Sequence, residues 1–172
     1  MSPPLHLSLL LLVAFAPMIV EARRSTAHYR ALVAAGGLEP PDDVFGVMQI
    51  AYPASFLAMI AEAWLRGVPS GSVIVAGGLV FAAAKAIKYW AIATLGSRWT
   101  FRVVVPPRSS LVSGGPYRYL RHPNYVGVMG ELIGCGLLAG APLTGTAATV
   151  IFAGILLARI RVEERALGLR SR

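Results

Sequence analysis

Charged residues are scarce in this chain of 172 residues. Asp, Glu, Lys and Arg make up 14% of it, whereas a soluble globular domain carries about 25%. The hydrophobic fraction is 56% and the mean hydropathy is +0.64, values that argue against a water-soluble domain and against disorder. We therefore predict an all-α fold, a polytopic transmembrane helical bundle.

Cysteine and histidine are also rare, which limits the kinds of site that the chain can build. The single cysteine, Cys135, excludes an internal disulfide framework and a cysteine-based zinc site. The three histidines (His6, His28 and His122) are scattered without the spacing of metal ligands. We predict no metal site.

Negative charge is in short supply, with 8 acidic residues against 16 basic ones and a net charge of +8. In a soluble protein such an excess suggests binding to nucleic acid. Here the basic residues lie between apolar runs, so attraction to the anionic cytoplasmic face of a membrane explains them better. We expect membrane lipids as partners and no nucleic acid.

Apolar segments predict about five membrane spans. The first, Leu5–Val20, has no Lys or Arg before it and so lacks the basic start of a signal peptide. Val44–Leu65 and Ser72–Leu95 are each long enough to cross a hydrocarbon core of about 30 Å. Asn124–Ala158 is too long for one crossing and is interrupted by turn-forming residues at Gly140–Gly145, which predicts a C-terminal helical hairpin.

The basic residues predict the orientation of these spans. The segment 21–43 is expected to be a loop with a short helix around residues 25–35. If the chain crosses five times, thirteen of the sixteen basic residues fall on one side, Arg66 falls on the other, and Lys85 and Lys88 lie within a span. The positive-inside rule then predicts a cytoplasmic C-terminus. The thirteen are Arg23, Arg24, Arg30, Arg98, Arg102, Arg108, Arg118, Arg121, Arg159, Arg161, Arg165, Arg170 and Arg172.

Polar and aromatic residues are concentrated around Arg121, just before the fourth span. Pro123 suits the first turn of a helix, which puts Arg121 and His122 at a helix N-terminus that favours anionic groups. Tyr125 follows His122 by three residues and shares its helical face. Such a cluster can hold a carboxylate, a phosphate or an adenosine. The alternative is a basic aromatic collar that only anchors the helix.

A second polar cluster, Arg159–Glu164, lies at the end of the fifth span. Arg159 and Glu163 are four residues apart on one helical face, and simple surface pairing is a sufficient explanation for such a pair. Both clusters, however, are at the same end of one hairpin. We therefore expect them to be close in space.

Three ionisable residues lie within the predicted spans, where charge is costly and is usually paired. Glu131 is about 12 Å from the start of its helix at Pro123, and Lys88 and Lys85 are about 10 and 15 Å from Leu95. The matching depths predict a contact of Glu131 with Lys88 or Lys85. Alternatively, Lys88 snorkels to the membrane surface.

The two polar clusters resemble the motifs of one family. The run from Arg121 to Gly127, R-H-P-N-Y-V-G, resembles the R-H-P-x-Y-x-G element of the isoprenylcysteine carboxyl methyltransferase family. Arg159-Ile160, followed by Glu163-Glu164 and Leu167, resembles its R-I-x-x-E-E-x-x-L element. The likeness is strongest over 85–168 and fits the bacterial branch. It implies a single methyltransferase domain over 1–172 with a core at 72–168.

The resemblance implies an integral-membrane enzyme that uses S-adenosylmethionine in a bacterial-type cell membrane, with its active site on the cytoplasmic side. Arg159 would orient the nucleophilic oxygen of the acceptor, and Glu131 and His122 are candidate bases for an acceptor that must lose a proton. The residues implied to hold the cofactor are Tyr117, Arg121, His122, Pro123, Tyr125, Gly127, Glu163 and Glu164.

The acceptor implied by the resemblance is lipophilic, either an isoprenylcysteine-like carboxylate or the hydroxyl of a lipidic polyketide. The chain ends at Arg172 without the aromatic tail of eukaryotic members. We therefore expect a lipid hydroxyl to be at least as suitable an acceptor as an isoprenylcysteine carboxylate. Two other functions stay open. One is an NADPH-dependent sterol-type reductase, which carries a similar R-H-P-N-Y-x-G element but has Glu where Val128 stands here. The other is a non-enzymatic membrane scaffold.

Overall fold

The computed structural model describes residues 2–107 and 111–169 and shows the predicted helical bundle. Arg108, Arg170 and Arg172, which the sequence assigns to the basic side, lie outside the described residues. The five α-helices are α1 (Pro3–Ala34), α2 (Phe45–Arg66), α3 (Gly71–Leu95), α4 (Pro123–Ala139) and α5 (Pro142–Ala166).

Four of these helices, α1, α2, α3 and α5, are long and apolar enough to cross a membrane. The fourth helix in the chain, α4, has 17 residues and measures about 25 Å, somewhat less than a full hydrocarbon core. Large apolar side chains such as Leu12, Leu65 and Val150 are exposed on the outside of the bundle, as a lipid environment requires. The chain is an integral membrane protein.

The first helix is longer than the predicted segment Leu5–Val20, since it continues past Glu21 to Ala34. No glycine or proline occurs between Glu21 and Ala35, so nothing in the sequence interrupts the helix there. It ends before Gly36, whose φ of 85° is in the left-handed region. At 32 residues α1 is about 48 Å long, and its last turns extend beyond a hydrocarbon core of about 30 Å.

The predicted C-terminal hairpin is confirmed, with a tighter turn than the sequence indicated. Gly140, at a φ of 62°, and Ala141 form the turn, and Pro142 begins α5. The carboxylate of Glu62 in α2 accepts hydrogen bonds from the backbone N–H groups of Leu143 and Thr144, at 3.2 and 2.7 Å. A side chain from another helix therefore caps the N-terminus of α5.

The most extensively packed helix pair is α3 with α4, and glycine makes their close approach possible. A Cβ atom on Gly134 would lie 2.6 Å from the backbone nitrogen of Phe81, and one on Gly77 would lie 2.6 Å from that of Leu138. Small residues of this kind let membrane helices pack backbone to backbone. The packing sets the relative position of the polar residues on α3 and α4.

Candidate active site

A cavity of about 740 Å³ opens at the end of the bundle where α1, α3 and α5 finish and α2 and α4 begin. We call this the basic end, because the arginine clusters of the sequence lie there. All five helices contribute to the cavity wall, together with residues 99–106 and 111–122 of the connection between α3 and α4.

Residues 99–105, the cover loop, close one side of the cavity. The loop is held to α1 by the Phe101 N–H, which donates to the Ser25 hydroxyl at 2.7 Å, and by a 2.9 Å hydrogen bond between the His28 ring and the Trp99 carbonyl. Farther along, Val105 exchanges two backbone hydrogen bonds with Leu38, at 2.9 and 3.0 Å. These hydrogen bonds hold the cover loop in place as part of the cavity wall.

The two polar clusters meet at the cavity, as the sequence predicts. The Tyr125 hydroxyl donates a 2.6 Å hydrogen bond to a carboxylate oxygen of Glu163. The His122 ring lies 3.3 Å from Glu164 and 3.8 Å from Glu163, and it stacks on the Tyr125 ring with centroids 5.5 Å apart. The first turn of α4 is thereby tied to the last turn of α5.

Arg159 connects this group to the cover loop. Its side chain is buried, and its guanidinium donates to the Tyr125 hydroxyl at 3.3 Å, to the Phe101 carbonyl at 2.5 Å and to the carboxylate of Asp43. Each of the three guanidinium nitrogens therefore has an acceptor. The orientation of Arg159 is fixed before any ligand enters.

Asp43 is a member of the site that the sequence analysis missed. Its carboxylate also accepts hydrogen bonds from the backbone N–H groups of Phe45 at 3.1 Å and Val103 at 3.0 Å. The signal available in the sequence was an acidic pair, Asp42-Asp43, directly before a span at the arginine-rich side of the chain. Nothing local in that pattern identifies Arg159 as the partner.

Deeper in the bundle lies an inner charge cluster of Glu21, Lys85, Lys88 and Glu131. Lys88 is 2.6 Å from Glu21 and 3.2 Å from Glu131, and Lys85 is 3.0 Å from Glu21 and 3.2 Å from Glu131. The predicted contact of Glu131 is confirmed with both lysines, and Lys88 is buried instead of snorkelling. The Tyr52 hydroxyl donates to Glu131 as well. Two positive and two negative charges balance within the cluster.

The model of the isoprenylcysteine carboxyl methyltransferase (ICMT) family matches residues 75–168, which include the inner lysines and both motifs. The chain belongs to the isoprenylcysteine carboxyl methyltransferase family. This membership, together with the membrane helices, supports a membrane methyltransferase-like role.

Two relatives cover most of the chain. Uncharacterized protein YpbQ of Bacillus subtilis (strain 168) is 35% identical over 112 residues, which are 65% of this chain and 67% of that protein. An uncharacterized protein of Haemophilus influenzae is 30% identical over 144 residues, 83% of this chain and 84% of that protein. No solved structure matches the chain.

Six residues that the family resemblance singled out lie on the cavity wall of this ICMT-family protein. They are Tyr117, Arg121, His122, Tyr125, Arg159 and Glu163. Burial raises the pKa of Tyr117 above its usual value of 10, and the negative charge of Glu163 raises it further. Tyr117 is therefore a neutral hydrogen-bonding group at any physiological pH.

The other four named residues lie off the wall. Pro123 is buried at the first position of α4, and Gly127 packs against α3, where a Cβ atom would be 2.7 Å from that of Lys88. Glu164 contacts the site through the ring of His122, at 3.3 Å. The carboxylate of Glu131 contacts Lys88 and Tyr52, whose side chains do line the cavity.

Asn124 lies on the cavity wall and occupies the variable position of the R-H-P-x-Y-x-G element, for which the resemblance implies no role. Its side-chain oxygen is buried and has no hydrogen-bond partner within residues 2–107 and 111–169. A buried polar atom of this kind is costly unless it finds a partner. On a cavity wall, a bound ligand is the natural partner.

Proposed function

We propose that the chain is an S-adenosylmethionine-dependent O-methyltransferase that acts on a lipophilic acceptor, with the cavity at the basic end as its active site. The observation that carries the proposal is the convergence of both family motifs on one cavity, through the contacts of Tyr125 with Glu163 and Arg159. Family membership supports the chemistry, and the position of the cavity within a membrane bundle supports a lipophilic acceptor.

The residues present suit the cofactor. A volume of about 740 Å³ is within the range of ligand pockets. The carboxylate of Glu163 on the wall offers negative charge to a sulfonium or an ammonium group, and Glu164 adds to it from behind His122. The side-chain oxygen of Asn124 needs a hydrogen-bond donor. The aromatic groups of Tyr117 and His122 offer surfaces and hydrogen bonds to a nucleobase. When bound, S-adenosylmethionine supplies a methyl group already activated by positive sulfur.

The other residues implied to hold the cofactor, Arg121, Pro123 and Gly127, border the cavity or shape it. Arg121 is exposed at the mouth of the cavity, where it can meet an anionic group. Pro123 starts α4, and Gly127 lets that helix approach α3. Pro123 and Gly127 together set the position of the first turn of α4, where His122 and Tyr125 face the cavity.

Arg159 orients the acceptor oxygen in this proposal. A guanidinium has five N–H groups, and the contacts to Tyr125, Phe101 and Asp43 leave further N–H groups for a ligand. Met48 and Phe152 provide apolar wall for the lipid part. Because the donor is already activated, the chain mainly holds two substrates in line and excludes water.

A hydroxyl acceptor must lose a proton, whereas a carboxylate acceptor need not. Of the two candidate bases, His122 is on the cavity wall and Glu131 is engaged by the inner charge cluster. We assign the proton to His122 and give Glu131 a positioning role, since its contacts hold Tyr52 and Lys88 on the wall.

The basic end faces the cytoplasm of a bacterial-type cell membrane in this proposal. This end carries the arginines near the C-terminus of α1, namely Arg23, Arg24 and Arg30, and also Arg98 after α3. Arg66, at the opposite end of α2, pairs with Glu62 at 2.7 Å. This asymmetry is the one that the positive-inside rule describes.

The test is a binding measurement on the detergent-purified protein with labelled S-adenosylmethionine and, separately, NADPH. We expect S-adenosylmethionine to bind, Glu163→Gln to weaken it at least tenfold, and Asp42→Asn, which removes an exposed partner of Arg165, to leave it unchanged. Binding of NADPH alone would favour the reductase. Binding of neither compound would contradict an enzyme of either kind and favour the scaffold.

A further inference from the structure

The positive charge of Arg159 is already balanced inside the protein. The carboxylate of Asp43 pairs with the guanidinium, and both side chains are largely removed from solvent. Asp43 cannot easily turn away, because backbone N–H groups of Phe45 and Val103 also hold its two oxygens. The pair is therefore a fixed feature of the site.

We propose, resting on the methyl transfer proposed above, that Asp43 determines acceptor selectivity: it disfavours a carboxylate at Arg159 and admits a neutral hydroxyl. An acceptor carboxylate that contacted Arg159 would come within a few ångströms of the Asp43 carboxylate. Repulsion between like charges is strong where water is largely excluded. A hydroxyl oxygen accepts from the guanidinium without adding charge.

The other charge linked to Arg159 does not make the acceptor side of the cavity positive. Glu163 is joined to Arg159 through the Tyr125 hydroxyl and adds a second negative charge. Its negative charge suits a cationic methyl donor but repels a second anion. The acceptor side of the cavity is therefore short of uncompensated positive charge.

Cations elsewhere on the wall are either paired or exposed. Lys88 is paired with Glu21 at 2.6 Å, and Arg102 is paired with Glu39 at 3.2 Å. Arg30, Arg98 and Arg121 are on the exposed side of the cavity, where water and salt screen them. A buried acceptor carboxylate would therefore find no compensating charge from these five cations, just as it finds none from Arg159.

The reaction balances for a neutral acceptor. A lone pair of the hydroxyl oxygen forms the new bond to the methyl carbon, the carbon–sulfur bond breaks, and its electrons stay on sulfur. The hydroxyl proton passes to His122 and then to solvent. The product is a methyl ether, whereas a carboxylate acceptor would yield a methyl ester.

The experiment uses two probes that differ only in the accepting group, a meta-alkylated phenol and the benzoic acid with the same alkyl chain. Each is incubated with the purified protein and S-adenosylmethionine labelled in its methyl group. Alkali releases the label from an ester as methanol and leaves an ether intact. We expect the parent protein to form the ether at least tenfold faster than the ester.

Variants at two neighbouring positions separate selectivity from folding. Asp43→Asn should raise the ester-to-ether ratio at least tenfold, Asp43→Glu should restore the parent ratio, and Asp42→Asn should leave it unchanged. Binding of the two probes without cofactor, followed by tryptophan fluorescence, gives a readout independent of turnover and should show the same preference in the parent protein.

Two outcomes overturn the inference. One is a parent protein that methylates or binds the benzoic acid as well as the phenol, a result that needs no variant to fold. The other is a folded Asp43→Asn protein with the parent ratio. Failure of the proposed function itself looks different, because then the parent protein neither binds S-adenosylmethionine nor transfers label to either probe.

Discussion

The ammonium group of Lys88 lies 2.6 Å from a carboxylate oxygen of Glu21, and this contact joins α3 to α1 inside the membrane bundle. The same ammonium is 3.2 Å from Glu131 on α4. One lysine thus connects three helices at the depth of the cavity wall. Since charge within a membrane is costly, such an arrangement persists only when every member is paired.

Loss of Lys88 should therefore destabilise the bundle. Lys88→Met leaves two buried carboxylates with one remaining lysine, Lys85, and we expect a loss of about 3–5 kcal/mol. The apparent melting temperature in detergent measures this loss. The double variant Lys88→Met/Glu131→Gln restores the charge balance and should recover part of it.

Arg66→Met is the matched control for that prediction. Arg66 also pairs with a glutamate, Glu62 at 2.7 Å, but its side chain is half-exposed. An exposed pair contributes about 0–1 kcal/mol, so its loss should shift the melting temperature little. If Lys88→Met melts at the temperature of the parent protein, the inner charge cluster does not stabilise the fold.

Removal of one hydroxyl tests the centre of the site. Tyr125→Phe keeps the ring that stacks on His122 but loses the contacts to Glu163 and Arg159. Hydrogen bonds to charged groups contribute about 1.5–3 kcal/mol, so kcat/KM for methyl transfer should fall roughly 10- to 100-fold. Tyr119→Phe, at an exposed tyrosine of the same segment, should have no effect. Equal values of kcat/KM in the two variants would show that the Tyr125 hydroxyl plays no part in methyl transfer.

The glycine of the first motif is expected to act through packing. A Cβ atom on Gly127 would lie 2.7 Å from the Cβ of Lys88 and 3.0 Å from the Ala84 carbonyl oxygen. Gly127→Ala should therefore push α4 away from α3 and lower the melting temperature. At Gly154, in the interior of α5, a Cβ atom would have no described atom within 4 Å apart from those of its own helix, and Gly154→Ala should be neutral or stabilising by about 1 kcal/mol. A Gly127→Ala protein as stable as Gly154→Ala would contradict the packing role.

Orientation can be measured with introduced cysteines, because Cys135 is buried and gives little background. Ser70 is exposed between α2 and α3, and Ser113 is exposed at the basic end. A membrane-impermeant maleimide applied to intact cells should label Ser70→Cys only, and permeabilised cells should show labelling of both variants. The reverse pattern would place the basic end outside.

Local sequence features predicted the hairpin and its polar end well. Pro123 marks a helix start, Gly140 marks the turn, and the helical period places Tyr125 beside His122. These features depend on residues a few positions apart, which is the range over which helix geometry is fixed. The bounds differ from the prediction at two places: Pro142 begins α5 inside the predicted turn Gly140–Gly145, and α1 continues past Glu21 to Ala34 along a run without glycine or proline.

By itself, the sequence determined that the chain is a membrane bundle, because its apolar runs leave no alternative to spanning helices. It also placed Glu131 at the depth of Lys85 and Lys88, because helical rise converts sequence position into depth. Only the tertiary structure decided that Glu21 completes that cluster and that Asp43 neutralises Arg159. Those partners come from distant parts of the chain, and spacing within one helix carries no information about which side chains of another helix or loop it will meet.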